Sequence, residues 1–292
     1  MDTLRGGGAL KGIKNKAIAY LIPFVSCFII KLLLMMNLSE ITEQICDLPF
    51  HLENSLWYLF VLFELSLIHT FSLGIYNKVI KSTKIITKYI IYTLLYGVFL
   101  IPQFLFAMIL GTGFLGCKYV LYYSIFYWIG FMWHEIKKLY DNFDNQLKLK
   151  AAKIINILTV FAVIIYSVLV SKINIYLLSD DMMGIPLRFL ASILGVFIVV
   201  KTVYTVYNDN SKVMFFLANI GQYTLELYYL HYLFIPYIAQ SSLPIFSHEG
   251  ILSIVVYFSI TMLLSFVFIK VISSSPYLSL VIFGKQYKMQ CQ

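Results

Sequence analysis

Eight ionisable side chains fall inside stretches that are otherwise apolar: Lys31, Glu64, His69, Arg188, Lys201, Glu226, His231 and Lys270. A titratable group among hydrocarbon costs free energy, so each one is either hidden by some structural device or kept for function. Lys201 and Lys270 lie near the ends of their stretches and can reach the interface along their own methylene stems. Arg188, one turn inside the edge of its stretch, suits an interfacial anchor and a substrate-facing charge equally. Glu64 and Glu226 have no long stem. Trp57, Phe60 or Val61, and Glu64 recur at helical spacing, which sets Trp57 and Glu64 on one helix face. A neutral, hydrogen-bonded Glu64 is the plainer reading beside a substrate ligand. Glu226 and His231 are five positions apart, about 140° around an α-helix, so they do not pair as a dyad on one helix. His231 can carry a proton or bond a substrate hydroxyl. Set among Tyr228, Tyr229 and Tyr232, it also suits simple packing.

No other chemistry-bearing motif stands out. Cys27, Cys46, Cys117 and Cys291 are far apart, and neither they nor His51, His134 and His248 have metal-ligand spacing. No metal site is expected. Phosphate-binding glycine loops, nucleophile elbows and dinucleotide fingerprints are absent. The glycines at 111, 113 and 116 predict a tight outer turn instead.

The elements that must position these residues are membrane spans. Of the 292 residues, 60% are hydrophobic and only 12% charged, and the mean hydropathy is +0.83. Soluble domains carry roughly 25% charged residues. This composition excludes a cytoplasmic enzyme, a disordered chain and a secreted disulfide scaffold. Apolar runs near 17–36, 55–74, 89–110, 115–133, 154–171, 185–205, 213–239 and 249–272 are each long enough to cross a bilayer. They are continuous rather than alternating, which predicts helices and not a barrel. The expected fold is an all-α, polytopic membrane helix bundle of about eight transmembrane helices, as a single domain over 1–292. The seventh run is overlong and interrupted at Asn219-Ile220-Gly221-Gln222, which predicts a short interfacial helix before the span proper. The first run is long, starts only near Ala17 and lacks a small-residue cleavage site, unlike a secretory signal peptide.

Basic residues orient the bundle. Arg5, Lys11, Lys14, Lys16, Lys78, Lys81, Lys84, Lys88, Lys137, Lys138, Lys148, Lys150, Lys153, Lys212, Lys285 and Lys288 fall on one side of the eight spans. Only Lys118 and Lys172 fall on the other, together with Glu40, Glu43, Asp47, Glu53, Asp180, Asp181 and Glu249. The positive-inside rule then predicts that both termini are cytoplasmic. The net charge of +8 is thereby accounted for by membrane topology, and no nucleic-acid partner is expected. The loops at 37–54 and 134–153 are too short to be domains.

Several strings resemble one family. NIGQYTLELYYLHYLFIP (219–236) resembles the penultimate-helix signature of the membrane acyltransferases called acyltransferase 3, a G-x-x-(S/T)-L-(E/D)-(I/L)-Y-x-x-H pattern. VISSSPYLSLVIFGK (271–285) is similar to that family's terminal segment, and NSLWYLFVLFEL (54–65) to its tryptophan-bearing helix. KNKAIAYLIPF (14–24) resembles the basic segment leading into its third helix, and YYSIFYWIGFMWHEIKK (122–138) a glycine-containing helix. The strings run in family order, closest to the branch of fucose 4-O-acetylase-like proteins.

The resemblance implies an O-acyltransferase of a bacterial cytoplasmic membrane. It would move an acyl group, acetyl first, from acyl-CoA to a hydroxyl of a surface polysaccharide or glycolipid, with no permanently bound cofactor. It also implies a chain that begins at the family's third helix, whose eight spans equal the family's complement less two. The His that the family carries in its first helix has no counterpart here. Under this reading His231 and Glu226 are the catalytic candidates. Trp57, Tyr58, Glu64 and Arg188 would bind substrate, and Lys14 and Lys16 would meet the CoA phosphates. A translocator of lipid-linked sugar would use the same intramembrane Glu64, Arg188 and Glu226, and an inactive N-terminally shortened remnant is the third alternative. Substrate movement without CoA consumption separates the first of these from the enzyme.

Overall fold

The computed structural model describes residues 8–35, 38–52, 55–79, 85–142, 144–172, 184–207, 211–239 and 251–285. Arg5, Lys81, Lys84, Glu53, Asp180, Asp181, Glu249 and Lys288, used above for orientation, lie outside these residues, as do His248 and Cys291. Among the described residues the regular structure is all helical: α1 (Gly8–Met35), α2 (Leu38–Asp47), α3 (Trp57–Val79), α4 (Ile85–Leu110), α5 (Cys117–Asp141), α6 (Asn145–Lys172), α7 (Gly184–Val206), α8 (Lys212–Gly221), α9 (Thr224–Ala239), α10 (Ile251–Ser273) and α11 (Pro276–Phe283). In a bilayer every backbone group must be satisfied within its own segment, which helices achieve and loops do not.

Among the described residues, six helices are long and apolar enough to cross a membrane: within α1, α3, α4, α6, α7 and α10. The chain is a multi-pass helical membrane protein. The fourth and seventh expected spans coincide with α5 and with α8–α9. Helix α5 is a continuous 25 residues, but Tyr119, Tyr122, Tyr123, Tyr127, Trp128 and Trp133 make it amphipathic rather than oily. The seventh run divides at Gly221, into a 10-residue α8 and a 16-residue α9, at the interruption expected from the sequence. The stretches expected as loops at 37–54 and 134–153 are partly helical. The first contains α2, and the second is the end of α5 and the start of α6, so its lysines ride on helical extensions.

Contacts divide the chain into two compact units, Met1–Ile125 with Gln222–Gln292, and Phe126–Gly221. In the first, α3 packs on α1 and α4, while α1, α9, α10 and α11 close around a core of Phe24, Cys27, Leu56, Leu59, Tyr229, Leu230, Ile269 and Phe283. Of the six candidate spans, α3 has the largest buried share. Its hydroxyls are silenced locally: Ser66 donates to Phe63 O at 2.7 Å, Thr70 to Ser66 O at 2.7 Å and Ser72 to Ile68 O at 2.7 Å. In the second unit the main packing is α6 against α7.

At two places in the fold the backbone dictates glycine. Between α4 and α5, Gly111 (φ 97°) and Gly116 (φ 65°) adopt left-handed conformations, as the glycine spacing led one to expect for a tight turn. That turn docks on the segment between α2 and α3, with Leu115 N donating to Pro49 O at 2.6 Å. The second position is Gly284, at φ 64°, which caps α11 by donating to Leu280 O at 2.9 Å. A Cβ there would collide with the Ile18 carbonyl oxygen and stand 3.0 Å from Ala19 Cα on α1. Pro23 of α1 cannot donate to the Ala19 carbonyl four residues back, so Gly284 approaches α1 where the helix ladder is already open. Gly284→Ala is therefore expected to cost about 2–3 kcal/mol, adding left-handed strain to a backbone collision. Thermal unfolding in detergent measures this, and an unchanged midpoint would contradict the packing described.

Candidate functional site

The polar side chains of the first unit are organised along α3. Near its start Trp57 stacks on Tyr119 of α5, with ring centroids 4.4 Å apart, and approaches Tyr123 at 5.8 Å. Tyr58 meets Tyr123 edge-on at 6.3 Å and Tyr228 of α9 at 6.0 Å. Tyr228 in turn lies 5.4 Å from the His231 ring. Trp57, Tyr58, Tyr119, Tyr123, Tyr228 and His231 thus form one aromatic run drawn from three helices. Tyr58 is 41% exposed, so the run presents an open edge and is not sealed in the core. Lys118 lies 4.8 Å over the Tyr119 ring.

His231 Nδ1 donates to Leu227 O, one helical turn back, at 3.0 Å. A carbonyl can only accept, so Nδ1 carries a proton, and in the neutral ring Nε2 is left with its lone pair. Among the described residues no protein group is bonded to Nε2.

Two turns along α3 from Trp57, Glu64 Oε2 accepts from Gln103 Nε2 at 3.3 Å, and Gln103 Oε1 accepts from Cys117 Sγ at 3.2 Å. Trp57 and Glu64 therefore do share a face, directed towards α4 and the first turns of α5. Further along, His69 Nδ1 and the Tyr92 hydroxyl are 2.7 Å apart, and Lys16 Nζ donates to Thr70 Oγ1 at 3.4 Å. Lys14 and Lys16 are expected together at one CoA site, but they point in different directions. Lys16 is half-buried against α3 and Lys14 is exposed, because positions two apart on a helix lie on opposite sides.

Glu226, in the first turn of α9, is 1% exposed and forms an ion pair with Lys285, just beyond the glycine cap of α11. Lys285 also lies 5.2 Å over the Tyr223 ring. The Glu226 carboxylate is thus engaged by a lysine from the chain's last described turn, and no contact joins it to His231, as the 140° separation requires. Arg188 belongs to the other compact unit, half-buried on α7, where Ser192 Oγ donates to its carbonyl at 2.8 Å. No group of three His, Cys, Asp or Glu able to hold a metal occurs among the described residues.

No family model, curated protein or solved structure matches this chain. The site is accordingly argued from its own geometry. It gathers His231, Trp57 and Tyr58 into one aromatic run, with Glu64 on the Trp57 face of α3. Glu226 joins a separate pair. Sequence reasoning passed over Tyr119 and Tyr123, although their four-residue spacing puts them on one face of α5. It also passed over Gln103 and Lys285. Gln103 is uncharged and so escapes a search for ionisable groups. Lys285 reads as one more lysine in a basic tail until the fold carries it to α9.

Proposed function

We propose that this protein is a membrane O-acyltransferase that moves an acyl group, acetyl in the first instance, from acyl-CoA to a hydroxyl of a glycan or glycolipid. The observation that carries the reading is His231. Its Nδ1–H is held by Leu227 O, its Nε2 keeps a lone pair in the neutral ring, and it stands at the end of an aromatic run with an exposed edge. Aromatic faces take up the apolar faces of sugar rings, while an imidazole nitrogen takes a hydroxyl proton. In the reaction, Nε2 accepts the proton of the acceptor hydroxyl as its oxygen adds to the thioester carbonyl. Collapse of the tetrahedral intermediate breaks the carbon–sulfur bond, and the imidazolium returns the proton to the departing CoA thiolate. Lys14 supplies an exposed charge for the CoA phosphates at the basic end of α1. The resemblance of five strings to acyltransferase 3 proteins supports the same reading. Three of those strings, 14–24, 219–236 and 271–285, meet where α1, α9 and α11 pack together.

The test is transfer of label from acetyl-CoA to a glycolipid fraction by the purified protein in nanodiscs. Transfer above the level of empty discs is expected, and none with any envelope glycan or glycolipid tried would overturn the proposal. Within an active preparation, Trp57→Ala is expected to raise the acceptor KM about three- to ten-fold through loss of stacking, while Trp57→Phe keeps most of the affinity. An unchanged KM in Trp57→Ala would remove the aromatic run from the acceptor site.

A further inference from the structure

The second compact unit holds a cavity that the acyl-transfer reading does not use. About 420 Å³ in volume, it opens where the end of α5, the start of α6 and the last turns of α7 come together. Its wall is oily, built from Trp133, Ile136, Ile155, Phe197 and Val200, and its polar residues Lys137, Asp141 and Tyr204 lie toward the ends of α5 and α7. There Lys137 Nζ donates to the Tyr204 hydroxyl at 3.0 Å and lies 5.4 Å from the ring centroid, and Lys201 also lines the cavity. One carboxylate, Asp141, shares the rim, and Lys148 Nζ donates to its backbone carbonyl at 2.9 Å. Two lysines against one aspartate leave the lining with a net positive charge.

This division of chemistry, a greasy slot with a cationic mouth, is that of an amphiphile with an anionic head. A soluble phosphate compound would use the mouth but leave the apolar wall in contact with water. A neutral lipid would fill the wall and leave the lysines unanswered. The Trp133 and Ile136 side chains are 45% and 55% exposed, so the slot is continuous with the apolar helix surface that faces lipid. The lysine-rich turn between α5 and α6 lies at the same end. We propose that this cavity is a binding site for an anionic glycerophospholipid, its phosphate held by Lys137, Lys201 and the Tyr204 hydroxyl and one acyl chain laid along Trp133, Ile155 and Phe197. The Tyr204 hydroxyl bond, more than any other influence, raises the Lys137 pKa above its ordinary value. Basic pockets between helices at a membrane face recognise anionic headgroups in this manner.

The experiment is native mass spectrometry of the full chain in detergent, titrated with phosphatidylglycerol or with phosphatidylcholine of the same acyl chains. Phosphatidylglycerol is expected to bind more tightly. Lys137→Met and Lys201→Met should each weaken it about five-fold, from roughly 1 kcal/mol per lysine at a lipid surface, and should leave phosphatidylcholine unchanged. Tyr204→Phe removes only a hydroxyl from a 56% exposed side chain, and it should weaken phosphatidylglycerol without altering the unfolding temperature. Equal binding of the two lipids would overturn the proposal, as would an undiminished preference in all three variants. So would displacement of phosphatidylglycerol by millimolar glycerol phosphate, which would reduce the site to an anion subsite.

Discussion

Lys285→Met is expected to destabilise the protein by about 3 kcal/mol, the low end of the cost of stripping the partner from a buried ion. Glu226 is 1% exposed and Lys285 39% exposed, so the two ends of the pair are not equivalent. Removal of the lysine leaves a carboxylate enclosed by α9 and its neighbours with no counter-charge. Glu226→Gln leaves instead a lysine whose stem can swing its ammonium to water, and it should cost only about 1 kcal/mol. The double variant Glu226→Gln with Lys285→Met keeps the volume of both side chains, removes both charges, and should recover most of the loss. Thermal unfolding of the four proteins in one detergent reads the cycle directly. A Lys285→Met protein that unfolds with the wild type, or a double variant no better than it, would show that the pair does not hold α9 to the end of α11.

The pair also explains why an eight-residue helix with no length to span a bilayer stays in place. Helix α11 is fixed at its start by Ser275, which accepts from Leu278 N, and Pro276. At its end Gly284 lies against the opened ladder of α1, and Lys285 reaches α9. Phe283, 1% exposed, fills the core between these two ties and meets Tyr229 edge-on at 5.8 Å. The glycine cap and the ion pair act on the consecutive residues Gly284 and Lys285, directly after the buried Phe283, so loss of one loads the other.

Which of these features can be seen in the sequence follows from how local each one is. The shared face of Trp57 and Glu64 is a matter of seven-residue spacing on one helix, and the break at Gly221 is a matter of composition, so both are legible. The glycine turn at 111–116 is legible because left-handed backbone demands that residue type. The partners of those side chains are not. Gln103 reaches Glu64 from another helix, Tyr119 reaches Trp57 from a third, and Lys285 reaches Glu226 from the far end of the chain. Periodicity carries no information about which helices become neighbours. The eight apolar runs also overstate what meets a strict length-and-apolarity standard. Tyrosine and tryptophan count as hydrophobic in composition, yet their polar tips make α5 a helix of mixed character. Lys14 and Lys16 look equivalent in a string of letters, and only the packing of α1 on α3 separates the exposed one from the one bonded to Thr70.

His231 gives the sharpest test of the chemistry. Its ring does two separable things: Nδ1–H holds the side chain to Leu227 O, and Nε2 offers a base. His231→Ala removes both. His231→Asn keeps a donor near the Nδ1 position, preserving the bond to the helix, and has nothing at Nε2. If His231 is the general base, both variants should lose acetyl transfer by a factor of about 10² to 10⁴, the usual contribution of positioned proton transfer. The loss should fall on kcat, with acceptor KM little changed. If the ring only packs beside Tyr228, Asn should retain most of the activity and Ala should lose stability along with it. Steady-state rates on the four proteins, with Trp57→Ala as the fourth, decide between these outcomes. Trp57→Ala disturbs the same aromatic run without touching a proton, so a change confined to KM there and to kcat in His231→Asn divides the run into an acceptor-holding end and a reacting end. Full activity in His231→Asn would place the base elsewhere in the molecule.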